Sequence, residues 1–267
     1  ERLDLPQVFA LLIGATGRNK GAPLGGSPLE GWRGQIGFQA ARGELPAGLE
    51  LQPVSGVLKS DGRAIAISAL KGGIGGGAAS ADIDARQTAD GLALSGEVRL
   101  DGVDGAALRY RGLAMPSGKA SMRMTFATQG RSIAALTGAL TGSGTLTLDA
   151  ARIAGLNPDV FDIAIKAGDA GKAENEDQLR RIVAPELQRG DLAVRQAQIP
   201  FLLRDGRFSV GATTLEAESA RAVVSGGYDI TADQVDIRAN LPSRAAEKNG
   251  PPHLDIFAVG TPDALTR

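Results

Sequence analysis

Cysteine is absent from the 267 residues and histidine occurs once, at position 253. The first absence excludes disulfides, thiolate metal sites and a cysteine nucleophile, and leaves the compartment open. The second leaves no partners for a histidine-based triad, and no nucleophile elbow accompanies it, so His253, following Pro251 and Pro252, reads as a strand-end residue. Aromatic residues make up only 4% of the chain. That is thin supply for a cleft walled by sugar-binding rings, although paired carboxylates alone cannot be judged from spacing. A net charge of -1, a pI near 6.0 and the lack of any Lys/Arg run exclude a basic field for nucleic acid. No apolar run approaches the roughly 18 residues of a bilayer span, and no signal segment opens the chain. The chain opens on Glu1 rather than Met, which reads as an excised piece of a longer protein whose anchor lies outside it.

Glycine, by contrast, is abundant. Its 37 residues are about twice the usual share of roughly 7%, and most fall between runs that alternate with period two. In "GLALSGEVRLDG" Leu92, Leu94, Val98 and Leu100 oppose Ser95, Glu97, Arg99 and Asp101. In "KASMRMTFATQ" Met122, Met124 and Phe126 oppose Lys119, Ser121, Arg123 and Thr125. "GTLTLD" sets Leu146 and Leu148 against Thr145, Thr147 and Asp149, and "DQVDIRANL" sets Val235, Ile237, Ala239 and Leu241 against Asp236, Arg238 and Asn240. Strands with one apolar and one wet face follow.

Asp-Gly pairs at 61, 90, 101 and 205 and Gly-Gly pairs at 72 and 226 are expected to supply hairpin turns between antiparallel neighbours. "DGRAIAISALKGG" and "DGRFSVGATTLEA" are a weak internal echo, each placing Asp-Gly-Arg before a strand. Two short helices are expected, over about 131–141, capped by Ser132, and about 174–189, where Pro185 should kink or divide the element. The opening "LPQVFALLIG" fits a helix or a buried strand. Residues 15–34, rich in Gly, Pro and Ser, are the candidate mobile connection.

Little chemistry accompanies this pattern. "GGIGGG" at 72–77 lacks the Lys-Ser/Thr of a phosphate loop and reads as a β bend. Asp82 and Asp84 read as a strand's wet face and Asp101 and Asp104 as turn formers, without the spacing of a calcium loop. No cofactor, metal site or catalytic residue is assigned. The candidate functional surface is the apolar face itself, Leu92, Leu94, Val98, Leu100, Met122, Met124, Phe126, Leu146 and Leu148, with Gly142, Gly144 and Gly155 as structural turns. Patterning alone fits either a closed sandwich core or an open apolar trough, because both put alternate residues out of water.

Residues 121–158, "SMRMTFATQGRSIAALTGALTGSGTLTLDAARIAGLNP", resemble the C-terminal region of the AsmA family of bacterial envelope proteins. The resemblance rests on an alternating strand, a short "S-x-x-x-L-x-G" turn and a "G-x-G-x-L-x-L" strand, matched by Gly130, Ser132, Leu136, Gly138, Leu140, Gly142, Gly144, Leu146, Leu148, Ile153, Gly155 and Leu156. It extends over roughly residues 50–242. "QAQIPFLLRDG" is more apolar than the family's pattern at Phe201, Leu202 and Leu203, which leaves strand register there open.

The family resemblance implies a mainly β fold, a curved and largely antiparallel sheet with an apolar concave face. It divides the chain into an N-terminal segment, 1–45, and an AsmA-like β domain, 46–267. It further implies a non-catalytic periplasmic module of a Gram-negative bacterium, held at the inner membrane by an anchor outside this sequence and serving outer-membrane biogenesis. TamB-type and bridge-like lipid-transfer proteins are similar in turn, so phospholipid acyl chains are the implied ligand, with envelope proteins as possible partners. Two other readings stand beside it: a scaffold with a closed β-sandwich core that docks assembly partners, and, ranked last, a hydrolase of envelope glycans or lipids.

Overall fold

The computed structural model describes residues 2–15, 19–172, 175–217, 220–242 and 253–266. Thirteen strands form one open sheet in strict chain order, every neighbour antiparallel. They are β1 (Arg33–Ala40), β2 (Val54–Asp61), β3 (Ala64–Ile74), β4 (Gly77–Thr88), β5 (Gly91–Asp104), β6 (Ser117–Gly130), β7 (Thr141–Ala154), β8 (Asp191–Arg204), β9 (Arg207–Glu216), β10 (Arg221–Asp229), β11 (Gln234–Pro242), β12 (His253–Thr261) and β13 (Ala264–Thr266). The fold is thus mainly β, and the sheet is a curved meander, beside which Arg2–Asp4, Arg42–Glu44 and Glu50–Leu51 form a small three-stranded sheet. β1 falls within the first 45 residues and pairs with β2, so the sheet reaches back to residue 33.

Among the described residues four helices lie beside the sheet: α1 (Leu5–Leu12), α2 (Ile133–Gly138), α3 (Val160–Asp169) and α4 (Glu176–Arg189). The opening apolar run is therefore helical. Asp4 caps it, its Oδ1 accepting from the Gln7 N–H at 2.8 Å, and Pro6 suits the first turn. Ser132 caps α2 as expected, accepting from the Ala135 N–H at 3.1 Å. α4 runs unbroken through Pro185 rather than dividing, while Ala173 and Glu174 of the expected first turn lie outside the described residues. α3 was not foreseen.

The turn expectations hold in part. Asp205 and Gly206, at φ 52° and 72°, join β8 to β9, and Asp61 Oδ1 accepts from the Arg63 and Ala64 N–H groups to turn β2 into β3. Asp101–Gly102, Gly72–Gly73 and Gly226–Gly227, however, sit within β5, β3 and β10. Gly227 is needed for close approach, since a Cβ there would stand 2.1 Å from the Phe208 carbonyl oxygen. Gly142 and Gly144 are likewise extended residues inside β7, not turns; Gly155, at φ 77°, does turn the chain.

The connection before β1 is tied down where it is described. The Leu24 N–H donates to the Arg131 carbonyl and the Ala134 N–H to the Lys20 carbonyl, both at 2.8 Å. Thr16, Gly17 and Arg18 lie outside the described residues.

Pro200 marks a seam. The β8–β9 ladder runs only from Phe201↔Val210 to Arg204↔Arg207 and stops where Pro200 has no N–H to continue it. Below the seam one isolated bridge, Val194↔Ala217, is recorded between the two strands.

Candidate functional site: an arched apolar face

Cross-strand register puts the alternating apolar residues on one side of the whole sheet. One ladder begins Ile36↔Leu58↔Ile67↔Ile83↔Gly96↔Phe126. It continues Gly142↔Leu203↔Phe208↔Tyr228↔Val235↔Gly260↔Leu265. Tyr228 is its one polar side chain. Twelve inter-strand steps at about 4.8 Å give it a contour of roughly 58 Å, about twice the ~30 Å hydrocarbon thickness of a bilayer. The opposite face carries Lys59, Asp84, Glu97, Arg123, Thr145, Gln198 and Arg238 and faces water.

All nine apolar residues expected on this face lie on it, in three environments. Leu92 and Leu94 are buried beneath Ile13 and Leu136, and Leu148 joins a core of Leu192, Val194, Leu215 and Leu241. Leu100 and Leu146 are half-buried at the margins of closed clusters. Val98, Met122, Met124 and Phe126 are likewise half-buried but belong to none of these clusters. The face is therefore core at its flanks, while the half-buried side chains along its middle join no closed cluster.

What covers the flanks follows from amphipathic helices. Val160 of α3 and Val183 and Leu187 of α4 pack with Leu254 and Ile256 of β12, while Phe9 of α1 and Ile13 just beyond it press toward Ala85, Leu92 and Leu94. Between α1 and the sheet remains a groove of about 410 Å³, lined by Leu3, Leu5, Phe9, Ile36, Phe38, Leu58, Ile67, Leu70 and Ile83 among others. Every lining side chain is apolar. The groove escaped sequence reading because α1 and β1, which wall it, fall within the first 45 residues; the apolar run in "LPQVFALLIG" and the alternation of Ile36 and Phe38 were its signals.

Three phenylalanine rings lie over glycines of the neighbouring strand. A Cβ on Gly144 would meet the Phe201 ring at 2.4 Å, one on Gly56 the Phe38 ring at 2.6 Å, and one on Gly96 the Phe126 ring at 2.9 Å. The rings lie down on the sheet because nothing stands beneath them, and the apolar face stays smooth.

A finger of residues 105–116 leaves β5, pairs Arg109–Tyr110 with Leu113–Ala114, and returns to β6. Its Leu108 packs against core clusters on both wings of the face. Its tip reaches the turns after β10 and β12, five and seven strands further along. Arg111 donates to both carboxylate oxygens of Asp233, at 2.6 and 2.8 Å, and through Nε to Asp263 at 2.8 Å. The Tyr228 hydroxyl donates to Asp233 at 2.8 Å, and the Tyr110 ring stands edge-on to that of Tyr228. The Arg111 guanidinium and then the Tyr228 hydroxyl hold the Asp233 carboxyl below the usual carboxylate range. Burial, with the Tyr110 hydroxyl alongside, pushes the Tyr228 hydroxyl well above its ordinary value. The finger thus spans the arch and pins its far wing.

Two of the four acids considered for calcium accept backbone hydrogen bonds, and all four sit in strands. Asp82 Oδ1 accepts from the Ala69 N–H at 2.9 Å, Asp104 Oδ1 accepts from the Ala106 N–H at 3.0 Å, Asp84 stands opposite Ser95, and Asp101 lies within β5. The backbone of His253 pairs with Pro242 at the start of β12, and Pro251 and Pro252 lie outside the described residues. Among the described residues no polar or charged residue is buried, and no three metal-binding side chains gather. No helix among them is long and apolar enough to cross a membrane.

Comparison with protein-family models, curated proteins and solved structures returns no match for this chain.

Proposed function

We propose that this chain is a non-catalytic, periplasmic module of envelope biogenesis that carries phospholipid acyl chains on its arched apolar face toward the outer membrane. The observation that carries the reading is a face that is apolar through all thirteen strands and whose middle side chains, Val98, Met122, Met124 and Phe126, join no closed core cluster. An acyl chain needs a continuous greasy strip and no directed polar partner, and each methylene it buries contributes about 0.8 kcal/mol. Headgroups stay in water at the rim, and movement along the strip needs no reaction. The resemblance of residues 121–158 to the AsmA family supports the same reading, with an inner-membrane anchor outside this sequence. A scaffold that docks assembly partners is the second reading.

The test is native mass spectrometry of the chain purified from membranes, paired with uptake of fluorescent phospholipid by delipidated protein. Bound phospholipid that is lost in Met124→Asp, with unfolding behaviour unchanged, supports carriage. Wild-type protein that binds no phospholipid in either format overturns it.

A further inference from the structure

The two ends of the sheet are finished differently. One end is β13, three residues long, a short edge of the kind that blunts unwanted pairing. The other is β1, eight residues long, and among the described residues nothing pairs with its outer side. Apart from Arg33 at its start, β1 lacks the usual protection of an edge, and the pairing of Arg2–Asp4 with Arg42–Glu44 begins only beyond its end. From Gly34 to Ala40 it has no charge and no proline, its register with β2 is unbroken, and Ile36 is 47% exposed.

The β1 sequence is chemically palindromic about Gly37: Gln35 and Gln39 flank Ile36 and Phe38. An antiparallel copy centred on Gly37 would place Gln35 opposite Gln39 twice on the wet face. On the apolar face it would place Ile36 opposite Phe38 twice. Amide pairs and aliphatic–aromatic pairs are both favourable cross-strand neighbours, and no like charges meet. A twofold axis makes each contact reciprocal, as isologous dimers require.

From this self-complementarity we infer that the free edge of β1 binds β1 of a second copy, antiparallel and in register about Gly37. The product is a 26-stranded sheet whose apolar face runs unbroken across the twofold axis. Ile36 and Phe38 also wall the groove beneath α1, so the two grooves become neighbours at the junction. The inference stands on the edge itself and does not require that the face carry lipid.

Sedimentation velocity of the full chain over a wide concentration range tests it, with two register-specific variants. Gln35→Glu/Gln39→Glu puts glutamates opposite each other at both outer pairs and weakens dimerisation by about tenfold. Gln35→Glu/Gln39→Lys makes the same two pairs opposite in charge and restores it. Gln35 already stands beside Lys59 on β2, so a glutamate there is compatible with the fold. A chain that stays monomeric throughout overturns the inference. So does a dimer indifferent to the two-glutamate change, or a mass that grows past the dimer, which signals head-to-tail pairing of unlike edges.

Discussion

The ring of Phe201 rests on Gly144, across the β7–β8 ladder, with no room between them for even a methyl group. Gly144→Val therefore displaces the ring and overpacks the face, which costs about 1–3 kcal/mol. Urea unfolding reads this as a lower midpoint at unchanged slope. Gly211→Ala on β9, where a Cβ meets nothing, leaves the midpoint within about 0.5 kcal/mol of wild type.

The distinction between clustered and unclustered parts of the face is measurable without any ligand. Leu148, 1% exposed in the largest core cluster, loses about 2–5 kcal/mol on truncation to alanine. Met124 stands on the same face one strand away, half-buried and outside every closed cluster. Its alanine variant costs less than about 1 kcal/mol. Equal losses in chemical unfolding would mean that the middle of the face is sealed, and the carriage reading would fall with it.

Asp233 ties the finger to the sheet only while ionised. Because Arg111 and Tyr228 lower its folded-state pKa, its contribution is fully present above the ordinary aspartate value of about 3.9 and is lost as pH falls through the lower folded value. Asp233→Asn removes that contribution at neutral pH. Hydrogen exchange across 105–116 should therefore be faster in the variant at pH 7, with the difference from wild type closing in strong acid.

Much of this architecture was legible in the alternation. β5, β6, β7 and β11 follow from single runs such as "GLALSGEVRLDG", because a half-buried strand in a one-layer sheet must change environment at every residue. The Gly-Gly pairs misled for a physical reason. A pair that permits a turn equally permits two backbones to approach closely, and only the partner strand decides between them. The Arg111 tie was beyond reach. It links residues 122 and 152 positions apart, and an arginine in a short loop carries no local sign of its distant carboxylates.

The seam at Pro200 gives the finger a second meaning. β9 to β13 form a flap joined to the other eight strands by four residue pairs above the proline and one bridge below it. Below the proline the flap is held by side chains more than by the ladder, Leu215, Ala222, Ala239 and Leu241 packing with Leu148, Leu192 and Val194, and the twelve residues of the finger tie it from the inside as well. The length of the 105–116 strap thus sets how far the turns after β10 and β12 can stand from the strand it leaves.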